Sequence, residues 1–188
     1  MLNLLDSLKK IEKLPIPKYE IVKSDADLAN LEFPCWLKVN LSEHKLEIEA
    51  AKKCNNLEEA KTNLKELRKK FPTDKIVIQE SVDGIELVLG IKQDSAFGKM
   101  LMLGFGGSAI EILKDVTFIT APAERKDIEK ALQSLKLYPS IIKRGKYAVN
   151  KLINLAEKVS NLEIKEADFN PVILNENEAV IVDARVLV

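Results

Sequence analysis

The sequence predicts an α+β protein, and three observations carry that reading. The first third alternates apolar stripes of helical period with short β-rich runs. From Lys75 onward the texture changes to closely spaced strands with turn residues between them. Two helical stretches and a β-hairpin then close the chain. Helices and strands segregated in this way indicate an α+β arrangement rather than a regular βαβ alternation.

Taken in order, Leu2, Leu5, Leu8 and Ile11 give a helical stripe that Pro15 and Pro17 end. KYEIV follows as a short extended stretch, then FPCWLKVNL as a buried strand carrying Lys38. SEHKLEIEAAKKC is ambiguous between loop and strand. A helix opens at Asn55-Asn56, with Glu58 three residues after Asn55 as in a capping box, and Pro72 closes it. KIVIQESV and IELVLGIK flank Asp83-Gly84, a hairpin signal. KMLMLGFGG is a third strand ending in a glycine-rich turn; AIEILKD and VTFITAP are two more. Helices are expected over residues 123–137 and 147–160, and the final hairpin completes the chain.

The 188 residues are 46% hydrophobic and 31% charged, enough to bury a core as one large domain or two small lobes. Lys+Arg and Asp+Glu balance at 29 each, which supplies no long-range positive field and argues against nucleic-acid or membrane-surface binding. No apolar run approaches the roughly 20 residues that span a bilayer. MLNLLDSLKKIEKLP reads as a helix rather than a signal peptide. The two cysteines, Cys35 and Cys54, have no metal-like spacing, so a reduced, cytoplasmic protein is expected.

The last stretch, Glu166 to Val188, is the most informative. It reads as two strands around a polar loop at Asn175–Glu178. Folding it about that loop sets Asn170 opposite Asp183, with Asp168 and Arg185 next along the same face. Directly opposed side chains in an antiparallel pair lie about 5 Å apart at Cβ. Acids and an amide crowded on one face of apolar strands are costly unless something cationic or polar satisfies them. Magnesium takes one or two protein oxygens and fills its shell with water and phosphate. The hairpin is therefore expected to floor a nucleotide site.

Other constellations leave alternatives open. The three glycines of GFGG, Gly104, Gly106 and Gly107, either let amide groups approach an anion or make a tight structural turn. Glu80 and Glu86 bracket Asp83-Gly84 and are either ligands or solvated strand ends. His44, the sole histidine, is either a surface residue or a phosphoryl acceptor. Lys38 either snorkels to solvent or contacts phosphate.

Together these segments resemble the ATP-grasp (β) subunit of ADP-forming acyl-CoA synthetases, the acetate–CoA ligases of archaea. The resemblance runs from about Pro15 to the C-terminus and rests on IQESVDGIELVLGIKQDSAFGKMLMLGFGGSAIEILKDVTF, EADFNPV and VDARVLV, matched in order. It implies an ATP-grasp fold: an N-terminal helix at 1–14, a small lobe at 15–75 and a large lobe at 76–188, with nucleotide between the lobes. Gln79-Glu80-Ser81-Val82 resembles the hinge that holds adenine through backbone groups and the Glu80 carboxylate. Glu86 resembles the ribose-binding glutamate, and Lys38 the lysine that contacts phosphate. Gly106 and Gly107 fall in the family's GxGG. Asn170 and Asp183 resemble the two magnesium ligands, with Asp168 behind them. His44-Lys45 resembles the segment whose histidine carries a phosphoryl group between active sites.

The implied function is the ATP/ADP- and Mg2+-dependent subunit of an acyl-CoA ligase, working in a hetero-oligomer with a separate CoA-binding α-type subunit. Where the family has Gly-Gly-Val after the histidine, this chain has Glu49-Ala50-Ala51, and Ile119 stands where an arginine is expected, in the phosphate region. These departures suggest an alternative: a non-catalytic, nucleotide-sensing or structural paralogue.

Overall fold

A computed structural model describes residues 1–29, 31–41, 50–72, 75–107, 114–143 and 146–188. After an N-terminal helix α1 (Leu4–Lys10), the chain forms two compact units. The smaller comprises Asn3–Leu5 and Pro17–Val82; the larger comprises Met1–Leu2, Asp6–Ile16 and Asp83–Val188.

In the smaller unit, β1 (Tyr19–Ile21), β2 (Cys35–Val39), β3 (Ala51–Cys54) and β4 (Ile76–Glu80) form an antiparallel sheet in the order β1-β4-β2-β3. Its helix α2 (Leu57–Lys70) lies between β3 and β4 in sequence. Cys35, Leu37 and Val39 alternate toward one face with Ile76 and Ile78, forming a core with Ala60, Leu64 and Leu67 of α2. The helix begins one residue later than its sequence suggests. Asn56 is the cap, its Oδ1 accepting the Glu59 N–H at 2.9 Å, and Glu59 returns a carboxylate oxygen to the Asn55 N–H at 2.9 Å. Two adjacent asparagines both offer a capping oxygen, and Asn55 follows the end of β3 too directly to open the turn.

The boundary between units falls after Val82, not at residue 75, because β4 hydrogen-bonds to β1 and β2. This also corrects the expected hairpin. β4 and β5 (Ile85–Asp94) belong to different sheets, so Asp83-Gly84 joins the sheets instead of folding two strands together. Gly84 serves close approach: a Cβ there would stand 2.5 Å from the Leu174 carbonyl oxygen and 2.7 Å from Ile173 Cγ2.

The larger unit adds β6 (Gly98–Phe105), β7 (Val116–Thr120), and helices α3 (Arg125–Ser134), α4 (Tyr138–Lys143) and α5 (Val149–Ser160). It ends with β8 (Glu166–Leu174), β9 (Ala179–Ile181) and β10 (Arg185–Leu187). The sheet order is β10-β8-β5-β6-β7, with β9 also pairing β8. Leu87, Leu89 and Ile91 of β5 align with Phe105, Leu103 and Leu101 of β6, all buried on the face where α3 and α5 pack. Glu86, Gly90 and Lys92 alternate to the other face.

The helix expected over 123–137 stops at Ser134 and a second, α4, follows. A distant residue sets this break: the buried Asp115 carboxylate accepts the Lys136 and Leu137 N–H groups, each at 2.9 Å. Most of the expected strand AIEILKD lies outside the described residues, and Lys114 and Asp115 are not in a strand. Among the described residues no helix is long and apolar enough to cross a membrane.

Candidate functional site

The terminal hairpin folds about the loop read from the sequence. Asn175 N–H donates to the Glu178 carbonyl, and Asn175 Oδ1 accepts the N–H groups of Asn177 and Glu178. On one side of a break β8 pairs β9, with Val172 opposite Ile181. On the other it pairs β10, with Asp168 opposite Arg185. Both ladders keep one register, so across the break Asn170 stands level with Asp183, and Val182 N–H reaches the Pro171 carbonyl at 3.1 Å.

The break has a counterpart on the other side of β8. Leu87 opposes Val172 and Leu89 opposes Phe169, so Val88 faces both Asn170 and Pro171, a β-bulge. Bulges concentrate beside active sites because they re-aim side chains. Here Phe169 and Val172 both stay buried while Asn170 is exposed and Asp183 half-buried. The donor set is an amide oxygen and a carboxylate, hard ligands suited to magnesium. Among the described residues no group of three or more His, Cys, Asp or Glu side chains could hold a metal ion. Asp183 also accepts the Ala184 N–H at 2.9 Å, which orients its carboxylate. Burial lowers the Arg185 pKa from its usual value.

Glu86 and the glycine pair come together on the adjoining strands. Gly106 N–H donates to the Glu86 carbonyl at 2.8 Å, and Gly107 adopts φ +64° with the Glu86 carboxylate where a Cβ would stand. The chain turns there in a backbone region that favours glycine.

In the smaller unit, Lys38 is 8% exposed on β2, opposite Ala51 and Val77. Glu80 ends β4, exposed, with its N–H donating to the Lys18 carbonyl at 3.0 Å. It alternates to the side of Ile76 and Ile78, away from Lys38, and lines a cleft of about 500 Å3 with Ile78, Cys35 and Ala26. Ser81 and Val82 follow as half-buried residues outside any strand. His44, Lys45 and Glu49 lie outside the described residues.

Two departures from the family pattern gain a structural context. Ala50 is buried in the core beneath the first sheet. Ile119 pairs with Leu101 and so shares the helix-covered face of the second sheet, opposite the face of Glu86 and Asp168. A cation at position 119 would therefore not reach those groups across the sheet, and its replacement by isoleucine removes nothing from that face. Strand alternation sets Gln79 rather than Glu80 on the face of Lys38.

Two antiparallel sheets, each packed against at least one helix, define an α+β fold. The sequence matches the ATP-grasp domain family over residues 13–188, and the chain belongs to that family. It is 29% identical to the β subunit of acetate–CoA ligase (ADP-forming) I of Pyrococcus furiosus, covering 95% of this chain and 87% of that subunit. It is 32% identical to the 4-hydroxybutyrate–CoA ligase (ADP-forming) of Nitrosopumilus maritimus, covering 87% of this chain but 27% of that longer protein. Among solved structures, a Pyrococcus horikoshii protein superimposes with TM-score 0.86 at 29% identity, covering 100% of this chain and 90% of that one. The acetyl-coenzyme A synthetase 1 of Ca. Korarchaeum cryptofilum, in complex with coenzyme A and Mg-AMPPCP, gives 0.81 at 25% identity, covering 98% and 91%. In that structure a phosphohistidine segment points towards the nucleotide-binding site.

Proposed function

We propose that this chain is the nucleotide-binding, β-type subunit of an ADP-forming acyl-CoA ligase, acting with a separate CoA-binding α-type subunit. The observation that carries the reading is the register of the terminal hairpin, which sets Asn170 level with Asp183 on an open sheet face. A family membership shared with ADP-forming ligases supports it.

The chain's part of the reaction is phosphoryl transfer. The N–P bond of a phosphorylated His44 breaks as a terminal phosphate oxygen of ADP bonds to phosphorus. ATP forms, and the departing imidazole nitrogen takes a proton from solvent. Asn170 and Asp183 would hold magnesium, which neutralises charge on the phosphate oxygens when bound. On the smaller unit, Lys38 is a cation that suits nucleotide phosphate. Glu86, held beside Gly107, accepts hydrogen bonds from the ribose hydroxyls, and the backbone at Glu80–Val82 contacts the base.

Incubating the chain and its α-type partner with ATP carrying a labelled γ-phosphate tests this directly. The expected product is an acid-labile, base-stable phosphate that maps to His44 and is absent from a His44→Ala variant. A non-catalytic paralogue is the second reading, favoured by Glu49 and Ala50 in place of the glycines. It predicts nucleotide binding with no label on the chain.

A further inference from the structure

We propose that Cys35 and Cys54 are a redox-responsive pair: hydrogen peroxide joins them in a disulfide that staples β2 to β3, and a thiol reductant reverses it. The staple belongs to the smaller unit alone and requires no nucleotide.

These are the only two cysteines in the chain, and the fold sets them face to face. Cys35, the first residue of β2, lies directly opposite Cys54, the last residue of β3. Both are free thiols, 1% and 0% exposed. A single buried cysteine is an ordinary small core residue. A cross-strand pair is different. Opposed Cα atoms in an antiparallel ladder stand about 4.5–5.5 Å apart, and disulfides span Cα separations of roughly 4.4–6.8 Å. The register thus meets the separation that the bond requires. A disulfide brings no strong polar group, so it suits the apolar core in which both residues sit.

The position also gives the bond something to hold. Among the described residues β3 is an edge strand of four residues, paired along one side to β2. A short strand held on one side opens at small cost. The staple would tie its end to an interior strand and keep the register that sets Lys38 opposite Ala51.

Burial pushes the Cys35 thiol up to about 11 and raises that of Cys54 as well, so the pair stays reduced at neutral pH until an oxidant is present. Cys35 lines the cleft of about 500 Å3 shared with Ile78 and Glu80, which gives a small oxidant its approach. Cys54 Sγ accepts from Asn63 Nδ2 at 3.3 Å, a contact that favours its thiolate. The order of events follows. The Cys35 thiolate attacks peroxide, whose O–O bond breaks to leave a sulfenic acid and hydroxide. The Cys54 thiolate then attacks the Cys35 sulfur; the S–S bond forms, the S–O bond breaks and a second hydroxide departs. With the two thiol protons these hydroxides make two waters.

The experiment treats the reduced, folded full chain with hydrogen peroxide, then unfolds and alkylates it and reads its mass and peptide map. Wild type is expected to lose two hydrogen atoms, to resist alkylation at both cysteines, and to yield peptides joined through Cys35 and Cys54 of one chain. Dithiothreitol should restore both thiols. The oxidised chain should unfold at a midpoint about 5 °C or more above the reduced one, because the bond restricts the unfolded chain. Cys54→Ser should instead hold a dimedone-reactive sulfenic acid on Cys35, with no rise in midpoint. The wild-type readouts decide the matter even where that variant fails to fold. Two alkylatable thiols after treatment, a bond joining separate chains, or one that forms only in urea would each overturn the staple. So would an unchanged or lowered midpoint on oxidation.

Discussion

The Glu86 carboxylate lies where a Cβ on residue 107 would stand, so Gly107 and Glu86 share one small volume beside the β5–β6 ladder. Gly107→Ala would place a methyl group against that carboxylate and force a side chain into a φ of +64°. The expected cost is roughly 1–3 kcal/mol of stability. Nucleotide affinity should also fall, because Glu86 must swing away. Urea unfolding and calorimetric titration of the one variant measure both effects. Unchanged affinity at reduced stability would show that Glu86 holds nothing at the ribose.

Asp115 is a structural residue within a motif that otherwise looks functional. Its carboxylate accepts two backbone N–H groups at the start of α4 while 5% exposed. Asp115→Ala leaves both donors without their acceptor and should cost about 3 kcal/mol. Nucleotide affinity of the folded fraction should not change. Asp115→Asn should recover part of the loss. Denaturant unfolding of the pair checks this.

Stability should decline in acid for a nameable reason. Asp27, Glu59 and Asp94 are each held below the ordinary carboxylate range, chiefly by backbone N–H groups of Ser24, Asn55 and Phe97 respectively. Their folded pKa values lie below the unfolded ones, so their stabilisation is present above the ordinary values of 4.5 for Glu and 3.8 for Asp. It disappears as pH falls from there through the folded values. A triple variant, Asp27→Asn, Glu59→Gln and Asp94→Asn, should show a flatter fall of unfolding midpoint below pH 4.5 than wild type. Parallel curves would place the acid sensitivity in other groups.

What the sequence made legible followed from local chemistry. The polar run at Asn175–Glu178 set the hairpin loop and hence the register that levels Asn170 with Asp183. The strand segments β5, β6 and β7 followed from strand texture and glycine turns, but their pairing order in the sheet did not. Asp83-Gly84 misled because turn composition tells that a chain bends, while the partners of each strand depend on β1, β2, β6 and β8, distant in sequence. The end of α3 was equally hidden, since Asp115 sets it from across the fold. The fine start of α2 turned on which of two adjacent asparagines faces the first turn.

Asn170 and Asp183 are proposed to hold magnesium on a nucleotide phosphate. Calorimetric titration of the full chain with ADP, with and without magnesium, tests it beside Asn170→Ala and Asp183→Ala variants that retain the wild-type unfolding midpoint. Magnesium is expected to tighten ADP binding to wild type by at least ten-fold, and this gain should vanish in both variants. Binding that ignores magnesium in wild type, or a full magnesium effect in either variant, would contradict it.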